Sequence, residues 1–70
     1  MVEKMINVGF LGAGQFAKSM ADVIHRTDDV NLFAVASRDS ERSAALKPDH
    51  VYDNYADLLA SPDVDLVYVL

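Results

Sequence analysis

The residues with the clearest chemical purpose are Gly12-Ala13-Gly14-Gln15-Phe16-Ala17, a G-x-G-x-x-A segment. Small residues at this spacing suit a turn where backbone meets a phosphorylated ligand. Gly12 can take turn angles closed to residues with a side chain. Gly14 has no Cβ to hold a pyrophosphate away from the main chain, and Ala17 lets a helix seat closely on a strand. The N–H groups around Gln15 and Phe16 would face the phosphates at the positive end of that helix. The chemistry this implies is recognition of a dinucleotide. A G-x-G spacing arises by chance about 0.3 times in a chain this long, and roughly 0.05 times with a small third residue. Its context must therefore carry the reading, against the alternative of a glycine-rich loop that binds nothing.

A second place with chemical content lies some twenty residues on. Dinucleotide sites that take NAD usually place an acid there for the ribose 2′-hydroxyl. Here the position twenty past Ala17 is Ser37, followed by Arg38. A carboxylate would repel a 2′-phosphate, whereas a hydroxyl and a guanidinium would bind one, and Arg can stack on adenine. Arg42, one helical turn later, adds a second positive charge. The pattern points to NADP. Asp39 keeps NAD open if a loop shift brings it to the ribose, although it reads better as a helix cap. The alternative for Arg38 and Arg42 is a solvated pair beside Asp39 and Glu41.

These residues need elements to position them. Residues 6–11 are an apolar run that stops at the glycines and fits a strand covered on both faces. Residues 15–27 carry Phe16, Met20 and Ile24 at helical spacing, with Ala17, Ala21 and Val23 beside them. Lys18 and Asp22 are placed to pair across solvent, and His25 and Arg26 suit the last turn. Residues 30–36 form a second strand. Asp39 or Ser40 caps a short helix to about Leu46, which Lys47-Pro48-Asp49 ends. Val51-Tyr52 marks a third strand. Asn54 and Asp57 form a capping-box variant ahead of a helix over 55–60. Residues 65–70 form a fourth strand. Gly9, inside the first strand, reads as room for a crossing helix. The order β-α-β-α-β-α-β specifies an α/β class with a Rossmann-type parallel sheet and right-handed crossovers, here truncated.

Composition sets the outer limits. The chain has 70 residues with 6 Lys+Arg against 11 Asp+Glu, a net charge of −5. That balance argues against nucleic acid or an anionic membrane surface as partner. With no cysteine there is no disulfide framework, Cys-ligated zinc or thiol nucleophile. No apolar run approaches the ~18 residues of a membrane span. Met1-Val2-Glu3-Lys4-Met5 lacks the pattern of a secretory leader, so the expected location is the cytoplasm. His25 and His50 stand in no metal-ligand spacing, and no Ser-His-Asp arrangement or P-loop is present. Tyr52 and Tyr55 read as packing residues, and Asp63 and Asp65 as turn and solvent residues.

Three segments together resemble a known family. They are Val8-Gly9-Phe10-Leu11-Gly12-Ala13-Gly14-Gln15-Phe16-Ala17, then Leu32-Phe33-Ala34-Val35-Ala36-Ser37-Arg38-Asp39, then the run from Tyr55 through Leu58-Leu59-Ala60-Ser61-Pro62-Asp63-Val64-Asp65-Leu66-Val67-Tyr68-Val69. They look like the N-terminal part of the glucose–fructose oxidoreductase and inositol dehydrogenase (MocA-type) family, with its dihydrodiol dehydrogenase-like members. The resemblance covers nearly the whole chain. It implies an NAD(P)-dependent oxidoreductase acting on a sugar, inositol or related polyol. It also implies a second domain that supplies much of the substrate pocket and often the oligomer interface. By position, Gly12, Gly14, Gln15 and Phe16 would face the pyrophosphate, and Ser37 and Arg38 the ribose and its 2′-phosphate. The family's threonine-proline loop, its E-K-P lysine and its downstream histidine have no counterpart here. Lys4, Lys18 and Lys47 match none of those positions, so no catalytic residue is assigned.

The expectation is residues 1–70 as the N-terminal portion of an NAD(P)-binding Rossmann domain without its substrate domain. A stand-alone dinucleotide-binding or sensing module is the alternative. A methyltransferase or flavoprotein site would want an acid where Ser37-Arg38 stands. In the Rossmann order strand four lies beside strand one and leaves a bare apolar edge, which invites self-association into a homo-oligomer.

Overall fold

Residues 5–70 are described by a computed structural model. Residues 1–4, most of the stretch read above as lacking a leader pattern, lie outside them. Along the chain run β1 (Ile6–Leu11), α1 (Gln15–His25), β2 (Val30–Ala36), α2 (Ser40–Ala45), β3 (His50–Tyr52), α3 (Tyr55–Leu59) and β4 (Leu66–Val69). The strands form one sheet in the order β3-β2-β1-β4, and every pair is parallel. This is the Rossmann-like α/β arrangement that the alternation of strand and helix patterns specifies.

β1 sits between two neighbours, so its residues Val8 to Leu11 are buried. Val8 and Phe10 face α1 and the end of α2, packing with Ala17, Ala21, Ile24, Leu32, Val35 and Leu46. Leu11 faces α3 and packs with Ala34, Ala36 and Leu58. Fully burying a side chain such as Phe10, Leu32 or Leu58 contributes roughly 1.5–3 kcal/mol each. Gly9 shares the α3 face, where an added Cβ would stand 2.8 Å from Leu58 Cδ2 and 3.2 Å from Val64 Cγ1. The glycine therefore makes room for the crossing helix, as its place in the strand implies. The register between β1 and β2 shifts after Val8, so that Gly9 opposes Ala34. Phe33 is the extra residue, a bulge that turns its ring to the α3 side.

α1 departs from the apolar stripe read from the sequence. Its buried line is Ala17, Ala21 and Ile24, while Phe16 is 67% and Val23 56% exposed. Helix and strand approach closely only if the contact residues are small. Alanine meets that condition and phenylalanine, one position earlier, is turned outward by about 100°. Asp22 pairs with Arg26 at 3.0 Å, not with Lys18. The helix stops two residues before Thr27, whose Oγ1 donates to the Val23 carbonyl at 2.8 Å.

Side chains tie the strand starts together. The Asn7 N–H donates to Asp65 Oδ2 at 2.9 Å, and Asn7 Nδ2 to the Asp63 carbonyl at 3.0 Å. Asn31 Nδ2 lies 3.3 Å from Asn7 Oδ1 and 2.8 Å from Asp49 Oδ2. Asp65 is thus a strand lock and not merely a solvent residue. β4 is the edge strand beside β1, with Val69 80% exposed. Its Tyr68 ring meets Phe10 edge-on, with centroids 6.1 Å apart.

Candidate functional site

The strand order reverses between β1 and β4, and in open α/β sheets ligands bind at the carboxyl ends of the strands at such a switch point. The G-x-G-x-x-A turn stands there. Gly12 has φ +120°, an angle that L residues avoid, and a Cβ on it would lie 2.8 Å from the Leu70 carbonyl oxygen. Its N–H donates to the Ala36 carbonyl at 2.8 Å. That bond ties the turn to the end of β2, immediately before Ser37 and Arg38.

Gly14 is different. Its φ of −78° and ψ of −168° are open to any residue, and a Cβ on it would meet nothing within 4 Å. The fold does not require glycine there; a ligand approaching the backbone would.

The helix starts carry the second observation. α2 begins at Asp39, whose Oδ1 accepts from the N–H groups of Glu41 and Arg42 at 3.0 and 3.2 Å. α3 begins at Asn54, whose Oδ1 accepts from Asp57 N–H at 2.9 Å, while its Nδ2 donates to Asp57 Oδ2 at 3.0 Å. Both have an acid in the first turn. α1 has neither: its cap position is Gly14, no side chain among the described residues bonds its free N–H groups, and its first turn holds no acid. The first N–H groups of a helix have no partner within it, and with the dipole they form an anion site. The residues therefore fit the pyrophosphate of a dinucleotide, with Gln15 and Phe16 at the mouth of the turn and Ala17 seated under it.

Beyond β2 the loop is built by its own side chains. Ser37 Oγ donates to the Asp39 carbonyl at 2.8 Å, accepts from Asp39 N–H at 3.2 Å and lies 2.6 Å from the buried Ser43 hydroxyl. A hydroxyl has one donor and two acceptor sites, so Ser37 is fully engaged in shaping the loop. Arg38 is exposed and makes no side-chain bond among the described residues. Arg42 Nε stands 3.6 Å from Asp39 Oδ2, both side chains exposed. Asp39 is thus the cap of α2.

A cleft of about 500 Å³ opens between the turn and α2. Ala13, Gly14, Gln15 and Lys18 line one wall, Arg42 and Ala45 the other. It joins the glycine turn to Arg42, thirty residues away in sequence order. Lys18, read from sequence only as an ion-pair partner, belongs to this cleft. Its spacing four after Gly14 was the available signal. His25 Nε2 lies 2.8 Å from the Leu46 carbonyl and fastens the end of α1 to α2. The His50 ring meets Phe33 at a tilt of 56°, with centroids 4.7 Å apart. Among the described residues no group of three or more His, Asp or Glu could hold a metal, and no helix is long and apolar enough to cross a membrane.

Solved structures share this arrangement. An NAD-binding oxidoreductase from Klebsiella pneumoniae matches 93% of this chain and 20% of its own at 28% identity, with a TM-score of 0.84. A myo-inositol dehydrogenase from Lactobacillus casei, solved with NAD(H) and myo-inositol, matches 94% and 21% at 26% identity, with a TM-score of 0.83. A 3-ketoreductase from Actinomadura kijaniata, solved with NADP, matches 94% and 22% at 27% identity and a TM-score of 0.83. The chain spans about a fifth of the length of these structures. Residues 6–70 match the Gfo/Idh/MocA oxidoreductase family in its NAD-binding Rossmann fold, and the chain belongs to that family.

Proposed function

We propose that the chain forms the N-terminal, cofactor-gripping portion of the Rossmann domain of an NADP-preferring oxidoreductase, whose substrate is a sugar, inositol or related polyol. The observation that carries the reading is the bare start of α1: free N–H groups, no cap, no acid, and a Gly14 the fold does not need. Gly12, Gly14, Gln15, Phe16 and Ala17 form the pyrophosphate turn. Arg38 and Arg42 form the side that receives the adenosine ribose, on a loop that Ser37 shapes through its bonds to Asp39 and Ser43 and not by a free hydroxyl. The bound nicotinamide supplies hydride transfer, and these residues contribute the grip and orientation of its adenosine diphosphate half. A second domain would hold the substrate, and the cytoplasm is the location that goes with this reading.

NADP preference is supported by the residues after β2. The acid nearest the ribose position, Asp39, is spent on capping α2, while Arg38 and Arg42 are exposed on either side of it. The polyol reading draws on the inositol dehydrogenase among the relatives. Fluorescence titration with NADPH and NADH tests the assignment. NADPH is expected to bind at least about tenfold tighter, a difference of about 1.4 kcal/mol. Tighter NADH binding overturns the NADP preference, and binding of neither overturns the site.

A further inference from the structure

We propose that Lys18 is a specificity-determining residue of this site, holding with Arg42 the phosphate monoester that distinguishes NADP from NAD. The inference rests on the dinucleotide reading above and adds a residue that reading does not use. Lys18 stands one turn into α1, its N–H donating to the Gly14 carbonyl at 3.2 Å. It follows Ala17, which faces the sheet, by one residue, and that rotation turns it toward α2. It lines the cleft beside the glycine turn together with Arg42 and Ala45.

Both cations are available. Asp22, the acid one turn on from Lys18, is held by Arg26 at 3.0 Å, and Lys18 makes no ion pair among the described residues. Among the described residues Arg42 has only the loose 3.6 Å ion pair with Asp39, exposed on both sides, and exposed pairs of that kind hold weakly. The chain carries only 6 Lys+Arg against 11 Asp+Glu, so two cations on one cleft run against its overall charge. Their chemistry suits a phosphate monoester. The guanidinium offers a bidentate fork and the ammonium a mobile point charge, and the ligand is close to a dianion at neutral pH. A ribose hydroxyl in the same place would gain little from either. The pyrophosphate is already served by the free N–H groups at the helix start, which leaves the part of the cleft between Lys18 and Arg42 to the ribose substituent.

The test titrates the unaltered chain and Lys18→Met with NADPH, NADH, adenosine 2′,5′-bisphosphate and 5′-AMP, reading binding by calorimetry. Lys18→Met is expected to weaken NADPH and the bisphosphate about fivefold. NADH and 5′-AMP should stay within about twofold, and Lys18→Arg should restore the phosphate ligands. Methionine and lysine have similar helix propensity, so thermal melting should not move. Equal losses for all four ligands, or no loss for any, overturn the proposal. If the unaltered chain prefers NADPH while Lys18→Met matches it, Lys18 alone is dismissed. If the unaltered chain shows no preference for NADPH, the NADP reading falls and Lys18 falls with it.

Discussion

Replacing Gly14 and Gly12 separately by alanine divides what the ligand needs from what the fold needs. At Gly14 the backbone lies at φ −78° with nothing within 4 Å of an added Cβ. Losing glycine's extra freedom in the unfolded chain stabilises by about 0.4–1 kcal/mol. Alanine is a poorer N-cap than glycine by about 0.5–1 kcal/mol. The two nearly cancel, so Gly14→Ala should change stability by less than about 0.5 kcal/mol, or a Tm shift within about 4 °C for a chain this size. At Gly12 the φ of +120° costs an L residue roughly 1–3 kcal/mol. The new Cβ also lies 2.8 Å from the Leu70 carbonyl oxygen, a backbone atom. Gly12→Ala should therefore lower Tm by about 10 °C or more. Binding should run in the opposite order of surprise. Gly14→Ala places a methyl where the pyrophosphate meets the helix N–H groups. Hydrogen bonds to charged groups are worth about 1.5–3 kcal/mol each, so dinucleotide affinity should fall at least about tenfold in a protein that melts normally. Circular dichroism melts and cofactor titration of the two variants decide it. If Gly14→Ala melts as low as Gly12→Ala, the glycine serves the fold. If it binds cofactor like the unaltered chain, no phosphate approaches at that point.

Gly9→Ala should destabilise by about 1 kcal/mol in urea unfolding, because overpacking against Leu58 and Val64 costs about 1–3 kcal/mol and outweighs the backbone gain. Unchanged stability would mean that α3 can retreat freely. Lys47 has φ +58°, a left-handed residue closing α2, and Lys47→Gly should raise Tm by relieving about 1 kcal/mol; a lower Tm would count against strain there. The preference for NADPH over NADH should shrink as pH falls through about 6, where a phosphate monoester takes up its second proton. Since the dianion is the form the cations favour, the preference is full above that range. A ratio that stays flat between pH 5 and 8 would contradict cationic recognition.

What was legible in the sequence was local. Gly12-Ala13-Gly14 ends β1, Asp39 and Asn54 start α2 and α3, and their hydrogen bonds are made within three residues. Such signals act before any tertiary contact forms, so strand and helix order followed from them. What was not legible depended on which surfaces meet. Phe16 and Ala17 are adjacent, and both extend to Ile24 at helical spacing. Hydrophobicity favours the phenylalanine stripe, whereas the closeness of α1 to β1 selects the alanine one. The Asn7–Asn31 contact and the Asp65 lock join positions 24 and 58 apart, which no local pattern reports. Lys18 was missed for the same reason. Its cleft exists only because α2 packs beside α1, although the glycine turn at its rim was plain.

Asp39 is where the two cofactor readings part. Its carboxylate caps α2 through two N–H groups and stands near Arg42. Turning it toward a ribose would forfeit a cap worth about 1 kcal/mol. It would also leave Arg42 without its acidic neighbour. Asp39→Asn separates these roles, since asparagine caps as well as aspartate but carries no charge. With the cap kept, stability should hold. With the carboxylate gone, Arg42 is freed and repulsion of the 2′-phosphate removed, so NADPH affinity should rise about two- to fivefold. NADH affinity should stay level, because nothing in this arrangement sends the Asp39 carboxylate to a hydroxyl. Parallel titrations of NADPH and NADH on Asp39→Asn read the difference directly. A selective loss of NADH affinity would place Asp39 on the ribose after all. The cap geometry would then describe only the chain before cofactor binds, and the residues after β2 would belong to an NAD site.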